Sequence, residues 1–209
     1  MGLRAPLRVA VGVSGRGSNL RALQEQAPAY GYVITGVVSN NPAAAAIDYA
    51  RSQGLAVHVV DHREFPSRAA FEQALAGALD SLAPDVIALA GFLRVLGTDF
   101  VDHYRGRLLN IHPSLLPAFP GLDTHRRALA SGARFHGATV HQVTSTVDGG
   151  PIIAQAGLVV VPGESPASLG ARVLALEHAL YPYVLGRWAR GEVACNGPQA
   201  PLPLRAPRA

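Results

Sequence analysis

The chain has no lysine: all 18 of its basic residues are arginine. That absence removes two kinds of chemistry. No Schiff-base lysine is available, and the lysine of a Walker-type phosphate loop has no counterpart. Cysteine is almost as scarce. The single Cys195 can form neither an internal disulfide nor a cysteine-rich metal site, so a reducing, cytoplasmic setting is expected. No uncharged apolar run reaches about 18 residues, so no transmembrane helix and no membrane partner are predicted. The opening MGLRAPLRVAVGVSG lacks the small-residue cleavage pattern of a signal peptide, and Pro6 stands where N-myristoylation needs Ser or Thr. The missing lysine goes with richness in Ala, Pro and Gly and reads as genomic composition bias.

What remains is 209 residues, 49% of them apolar, with a net charge of +4. That is enough chain for one large domain with a sizeable core. A basic balance suits anionic small substrates or nucleic acid. The arginines are scattered and little interleaved with aromatics, which argues against nucleic acid. Residues 1–192 are expected to form the domain, and 193–209, rich in proline, a poorly ordered tail.

Short apolar strands alternate with helical segments. LRVAVGV (7–13), YVITGVVSN (32–40), LAVHVV (55–60), PDVIALAGF (84–92) and GRLLNI (106–111) read as strands. SNLRALQEQA (18–27), AAAAIDYARSQG (43–54) and SRAAFEQALAGALDSL (67–82) read as the helices between them. This alternation predicts an α/β fold with a parallel, doubly wound sheet, its nearly all-apolar fourth strand at the centre. Beyond Pro113 a loop rich in Pro, Gly and His runs to about His125. Residues 138–161 then read as two strands around a turn, and 165–191 as a long amphipathic helix. No internal repeat is present.

Four segments are candidates for a site. SGRGSNL (14–20) joins the first strand to the first helix, where backbone N–H groups and the helix dipole face an anion. Leu20 stands where a dinucleotide fingerprint needs its third glycine, and the second strand ends in SNN with no acid for a ribose, so a monophosphate fits better than NAD. A tight strand-to-helix turn with no ligand explains the glycines equally well. AGFLRVL (90–96) follows the central strand on the edge where open α/β sheets bind ligands, although Phe92, Leu93 and Leu96 also suit a core. Asn110 and His112, two residues apart, share one face if the fifth strand continues. They could hold an oxyanion or simply close a strand end. TVDGGP (146–151) contains Asp-Gly, a strong turn signal, and its carboxylate could also orient an imidazole. His125, His136, His141 and His178 have no metal-ligand spacing, and no Gly-x-Ser-x-Gly elbow occurs, so neither a metal nor a serine nucleophile is predicted.

Taken together, SGRGSNL, LAGFLRVL, LLNIHPSLLPAFPGLDTHRRAL, HGATVHQV, VDGGPII and ARVLALEHALYP resemble, in order and over roughly residues 7–190, the phosphoribosylglycinamide formyltransferase family. The resemblance implies a Rossmann-like formyltransferase fold, with a mostly parallel central sheet flanked by helices and an antiparallel strand pair near the C-terminal end. It implies transfer of a formyl group from 10-formyltetrahydrofolate, a co-substrate, to the amino group of glycinamide ribonucleotide (GAR) in de novo purine synthesis, by a monomer or homodimer. By the same resemblance Asn110, His112 and Asp148 are catalytic. Gly17, Ser18 and Asn19 hold the GAR phosphate, and Leu174 and Glu177 its ribose and glycinamide. Arg68, the loop of Leu93, Arg94, Val95 and Leu96, Asn110 again, and a second loop of Thr144, Ser145, Thr146, Val147 and Asp148 hold the folate. Arg16 stands where the family commonly has Asn, and Leu174 where it often has Gln.

Formyl transfer passes through an oxyanion. The expected donors are the Asn110 amide and a protonated His112, each contributing about 3–4 kcal/mol, with Asp148 raising the His112 pKa and passing a proton through water. The alternatives are a sibling formyltetrahydrofolate hydrolase and a non-catalytic folate- or nucleotide-binding module on the same fold. The hydrolase is expected to carry an N-terminal regulatory domain and the methionyl-tRNA sibling a basic C-terminal domain; a binding module is expected to lack part of the Asn110, His112 and Asp148 set.

Overall fold

A computed structural model describes residues 5–193. Five parallel strands form as the alternation predicts: β1 (Leu7–Val13), β2 (Tyr32–Ser39), β3 (Val57–Val59), β4 (Val86–Leu89) and β5 (Leu108–His112). Two more follow, β6 (Phe135–Gln142) and β7 (Ile152–Val159). The sheet order is β3-β2-β1-β4-β5-β6-β7, which puts β4 in the middle. β6 runs antiparallel to β5, and β7 antiparallel to β6. The helices are α1 (Ser18–Tyr30), α2 (Ala45–Ser52), α3 (Arg68–Ser81), α4 (Thr98–His103), α5 (Thr124–Ala130) and α6 (Pro166–Ala189).

The chain winds outward from β1 to β3 and then returns to place β4 on the other side of β1. That reversal opens a crevice beyond the carboxyl ends of β1 and β4, the place where such sheets take ligands. Strand parity divides the core. Val9, Val11, Val13, Leu109 and Ile111 pack with Leu20, Leu23, Val173, Leu180 and Leu185 of α1 and α6. Ala10, Ile87, Leu89 and Leu108 pack with Phe71, Leu75 and Leu79 of α3 and Phe100 of α4. Each fully buried leucine contributes about 1.5–3 kcal/mol. Tyr181 of α6 is fully buried, and its hydroxyl donates to the carbonyls of Leu89 in β4 (3.3 Å) and Leu109 in β5 (3.2 Å).

The differences from the sequence reading are local. β4 ends at Leu89, because Gly91, at φ 75°, turns the chain. β3 has three residues, and β6 starts at Phe135. α4 and α5 have six and seven residues, too few to show helical periodicity. The tail expected to be poorly ordered lies, from residue 194 on, outside the described residues.

Candidate active site

A cleft of about 810 Å³ opens at the crevice, walled by the start of α1 at Asn19, the loop after β4, the end of β5, the 113–123 loop, the β6–β7 loop and α6. Gly17 starts α1 in the left-handed region, at φ 76°. A Cβ there would lie 2.6 Å from that of Ala46, so both the backbone conformation and the close helix require glycine. Asn19, one residue into α1, is buried and lines the cleft. Its Nδ2 donates to Oε2 of Glu177 at 2.7 Å, while its Oδ1 is buried without a partner. Glu177 reaches the cleft because it follows Val173 by one helical turn on the buried face of α6. Burial pushes its carboxyl up to about 7, against the pull of the Asn19 donor. Leu174, one position round the helix from Val173, does not line the cleft, and neither do Gly17 and Ser18.

The loop after β4 is pinned at both ends. Leu93 N–H donates to Ser14 Oγ at 2.7 Å, and that hydroxyl donates to Asn40 Oδ1 at 2.5 Å. Gly97 N–H donates to Glu72 Oε1 at 2.7 Å. Between the pins the side chains divide. Phe92 and Leu96 enter the core, while Leu93 and Val95 are 71% and 61% exposed at the cleft. Two large apolar side chains held in solvent by a fixed backbone form a wall suited to a flat ring. Arg94 and residues Thr144, Ser145, Thr146 and Val147 line the same cleft. Arg68 is not on its wall; its Nε pairs with Glu72 Oε1 at 2.8 Å.

At the centre, Asn110 and His112 project from the same side of β5, as their spacing predicts. Asp148 reaches them from the β6–β7 loop, where it takes a left-handed φ of 52°, a conformation aspartate tolerates. Its Oδ2 accepts from Gly121 N–H at 2.8 Å and lies 3.3 Å from His112 Nδ1. Its Oδ1 lies 3.6 Å from Nε2 of His141. His112 Nε2 donates to the Phe119 carbonyl at 3.0 Å. The β5–β6 register sets His141 directly opposite Asn110, and the Asn110 Nδ2 to His141 Nε2 distance is 3.2 Å.

The electrostatics correct one expectation. Asp148 does raise the His112 pKa, as does the Phe119 carbonyl, but burial of the imidazole outweighs both, and the net direction is downward. For Asp148, burial pushes the carboxyl up. The neighbouring His141 side chain, the Gly121 N–H and the His112 imidazole pull harder, and it lies below the usual range. His112 at rest is therefore neutral at neutral pH, beside an ionised carboxylate.

Sequence reading missed His141, Ser14 and the backbone groups of Phe119 and Gly121. Only for Ser14, on the ligand edge of β1, was a local signal present. A second histidine pair lies behind the cleft wall: Nδ1 of His125, which lines the cleft, is 3.1 Å from Nε2 of the fully buried His136.

A ligand crevice at the reversal point of a parallel sheet, with an amide, an imidazole and a carboxylate converging at its centre, defines an α/β group-transfer enzyme. Residues 7–185 match the family described as Formyl transferase. Phosphoribosylglycinamide formyltransferase of Escherichia coli (strain K12) is 45% identical over 189 residues, covering 90% of this chain and 89% of that protein. The human trifunctional purine biosynthetic protein adenosine-3 is 41% identical over 188 residues, which cover 89% of this chain and 19% of that longer protein. Among solved structures, the phosphoribosylglycinamide formyltransferase of Coxiella burnetii superposes with a TM-score of 0.89 at 45% identity, covering 93% of this chain and 92% of that one. Glycinamide ribonucleotide transformylase 1 of Symbiobacterium toebii does so with 0.89 at 38% identity, covering 94% and 93%. The chain belongs to the formyl transferase family.

Proposed function

We propose that the protein transfers the formyl group of 10-formyltetrahydrofolate to the amino group of GAR, giving formyl-GAR and tetrahydrofolate in de novo purine synthesis. The observation that carries this reading is the position of Asn110 and His112 between two unlike halves of one cleft. One half holds the α1 N-terminus, Asn19 and Glu177, and suits a phosphorylated, amine-bearing substrate. The other holds the apolar Leu93–Val95 wall and the 144–147 rim, and suits the pterin of the folate. Gly17 and Ser18 would serve the phosphate through backbone N–H groups at the helix start. Arg68 and Leu174, off the cleft wall, would act through the elements they belong to. The reading includes a cytoplasmic monomer or homodimer that needs neither metal, nucleic acid nor membrane.

The chemistry follows from the resting protonation states. The unprotonated amine attacks the formyl carbon, forming the new C–N bond and an oxyanion that the Asn110 amide stabilises. Neutral His112 takes the proton the amine sheds, and Asp148 stabilises the imidazolium so formed. The proton then goes to N10 of the folate as the C–N10 bond breaks. Purified protein incubated with GAR and 10-formyltetrahydrofolate should yield formyl-GAR and tetrahydrofolate in equal amounts. Formate release without formyl-GAR would replace this reading with the hydrolase.

A further inference from the structure

His141 is buried, close to the reacting groups, and has no part in the chemistry above. A register irregularity between Val140 and His141, where Ile153 of β7 is passed over, interrupts the ladder beside this residue, a local break of the kind found next to active sites. Its two ring nitrogens meet unlike partners. Nδ1 lies 2.9 Å from the Gln142 carbonyl oxygen. A carbonyl only accepts, so Nδ1 carries a hydrogen. Nε2 lies 3.2 Å from Asn110 Nδ2, which only donates, while the Asp148 Oδ1 that also faces it stands at 3.6 Å, beyond hydrogen-bond reach. A donor facing Nε2 requires that nitrogen to be bare. The two contacts together select one neutral tautomer, Nδ1–H with an accepting Nε2.

The same contact acts on Asn110. The two ends of its amide have nearly the same shape and opposite hydrogen-bonding character. Turned over, the amide would set its Oδ1 lone pairs against the bare Nε2. It would also exchange the donor needed by an oxyanion for an acceptor. Among the described residues, His141 is the side-chain partner of that amide.

We propose that His141 is a positioning residue for formyl transfer: by accepting from Asn110 Nδ2, it sets which end of the Asn110 amide meets the developing oxyanion. The inference rests on the proposed role of Asn110 for its kinetic consequence, while the tautomer it requires can be read without any reaction. The backbone carbonyl of Gln142 holds the imidazole, the imidazole holds the amide, and the second Nδ2 hydrogen is left for the substrate oxygen.

The first test is nitrogen NMR of the full chain with labelled histidine, the His141 signals being assigned by their loss in His141→Gln. At neutral pH the signals should show a protonated Nδ1 and a bare Nε2. A protonated Nε2 overturns the proposal, whatever the enzyme is found to catalyse. The second test is kinetic. In His141→Gln, a side-chain oxygen can take the place of Nε2, and kcat should stay within about threefold of the starting enzyme. In His141→Asn, whose amide is too short to reach Asn110, kcat should fall about 10–100-fold with KM for both substrates unchanged, a fraction of the full loss of an oxyanion donor. Loss confined to KM, or equal loss in both variants, overturns the proposal. In the Asn110→Ala background, His141→Asn should have little further effect on residual turnover, because the two act as one unit. Additive losses would show that His141 does not act through Asn110. Absence of formyl transfer in the unmutated protein would refute the proposed function and leave the tautomer result standing.

Discussion

Replacing Glu177 by glutamine should make the free protein more stable and the enzyme worse. The carboxyl is buried, and burial moves it from an ordinary 4.5 to about 7. In the unfolded chain it ionises near 4.5, whereas in the fold it keeps its proton to about 7. Folding is therefore unopposed by this group below about pH 4.5, loses stability as pH rises between the two values, and carries the full penalty above 7. The displacement corresponds to about 3 kcal/mol. Glutamine has the same shape and no charge to desolvate. Its oxygen can still accept from Asn19 Nδ2, and its amide nitrogen can reach toward Asn19 Oδ1, a buried acceptor with no partner. Urea unfolding of Glu177→Gln and the unmutated protein should give nearly equal stability at pH 4.5 and a gain approaching 3 kcal/mol at pH 8, about 6–12 °C in melting temperature for a chain of this size. KM for GAR should rise about tenfold or more, as expected when a charged hydrogen-bond acceptor is lost. Coincident unfolding curves at pH 8, or a gain equal at both pH values, would refute the reasoning, because the pH dependence is the signature of the buried carboxyl.

Three further predictions concern the groups around the cleft. Asp148→Asn removes a charge that raises the His112 pKa; kcat should fall about 10²–10⁴-fold, and the midpoint of the pH–rate profile should move to lower pH, so an unmoved profile would sever the coupling. Burial pushes His136 down to about 4, with His125 and His112 adding to the effect. The unfolded chain binds that proton near 6.5, so stability should be lost as pH falls from 6.5 towards 4, by about 3 kcal/mol from this group, and His136→Gln should flatten that limb in urea titrations. A Cβ on Gly150 would lie 1.9 Å from the Gln142 carbonyl oxygen, whereas one on Gly77 in α3 meets nothing within 4 Å. Gly150→Ala should cost about 1–3 kcal/mol and reduce kcat by shifting the loop that carries Asp148, while Gly77→Ala should add about 0.5–1 kcal/mol without touching activity; thermal melts and turnover of the two variants decide both.

Much of this protein could be read along the chain, because local rules govern it. The apolar strands spaced by amphipathic helices imposed a parallel sheet, and the uninterrupted apolar run of β4 placed that strand at the centre. The two-residue step from Asn110 to His112 put both side chains on one face of β5, since strand side chains alternate. The glycines before α1 marked a turn that only a residue without Cβ could make. Folding in three dimensions settled whatever depends on residues distant in the chain. The β5–β6 pairing brought His141 to Asn110, 31 residues away, a contact that no periodicity encodes. Helix packing sent Glu177 into the cleft and turned Leu174 away from it. Seven carbon atoms of exposed apolar side chain at Leu93 and Val95 became a ligand wall because Ser14 and Glu72 pin the backbone beneath them. The direction of the His112 pKa was settled last, because it is the balance between burial and the attraction of Asp148. Both belong to the collapsed chain, where water has been excluded and charges remote in sequence lie within a few ångströms.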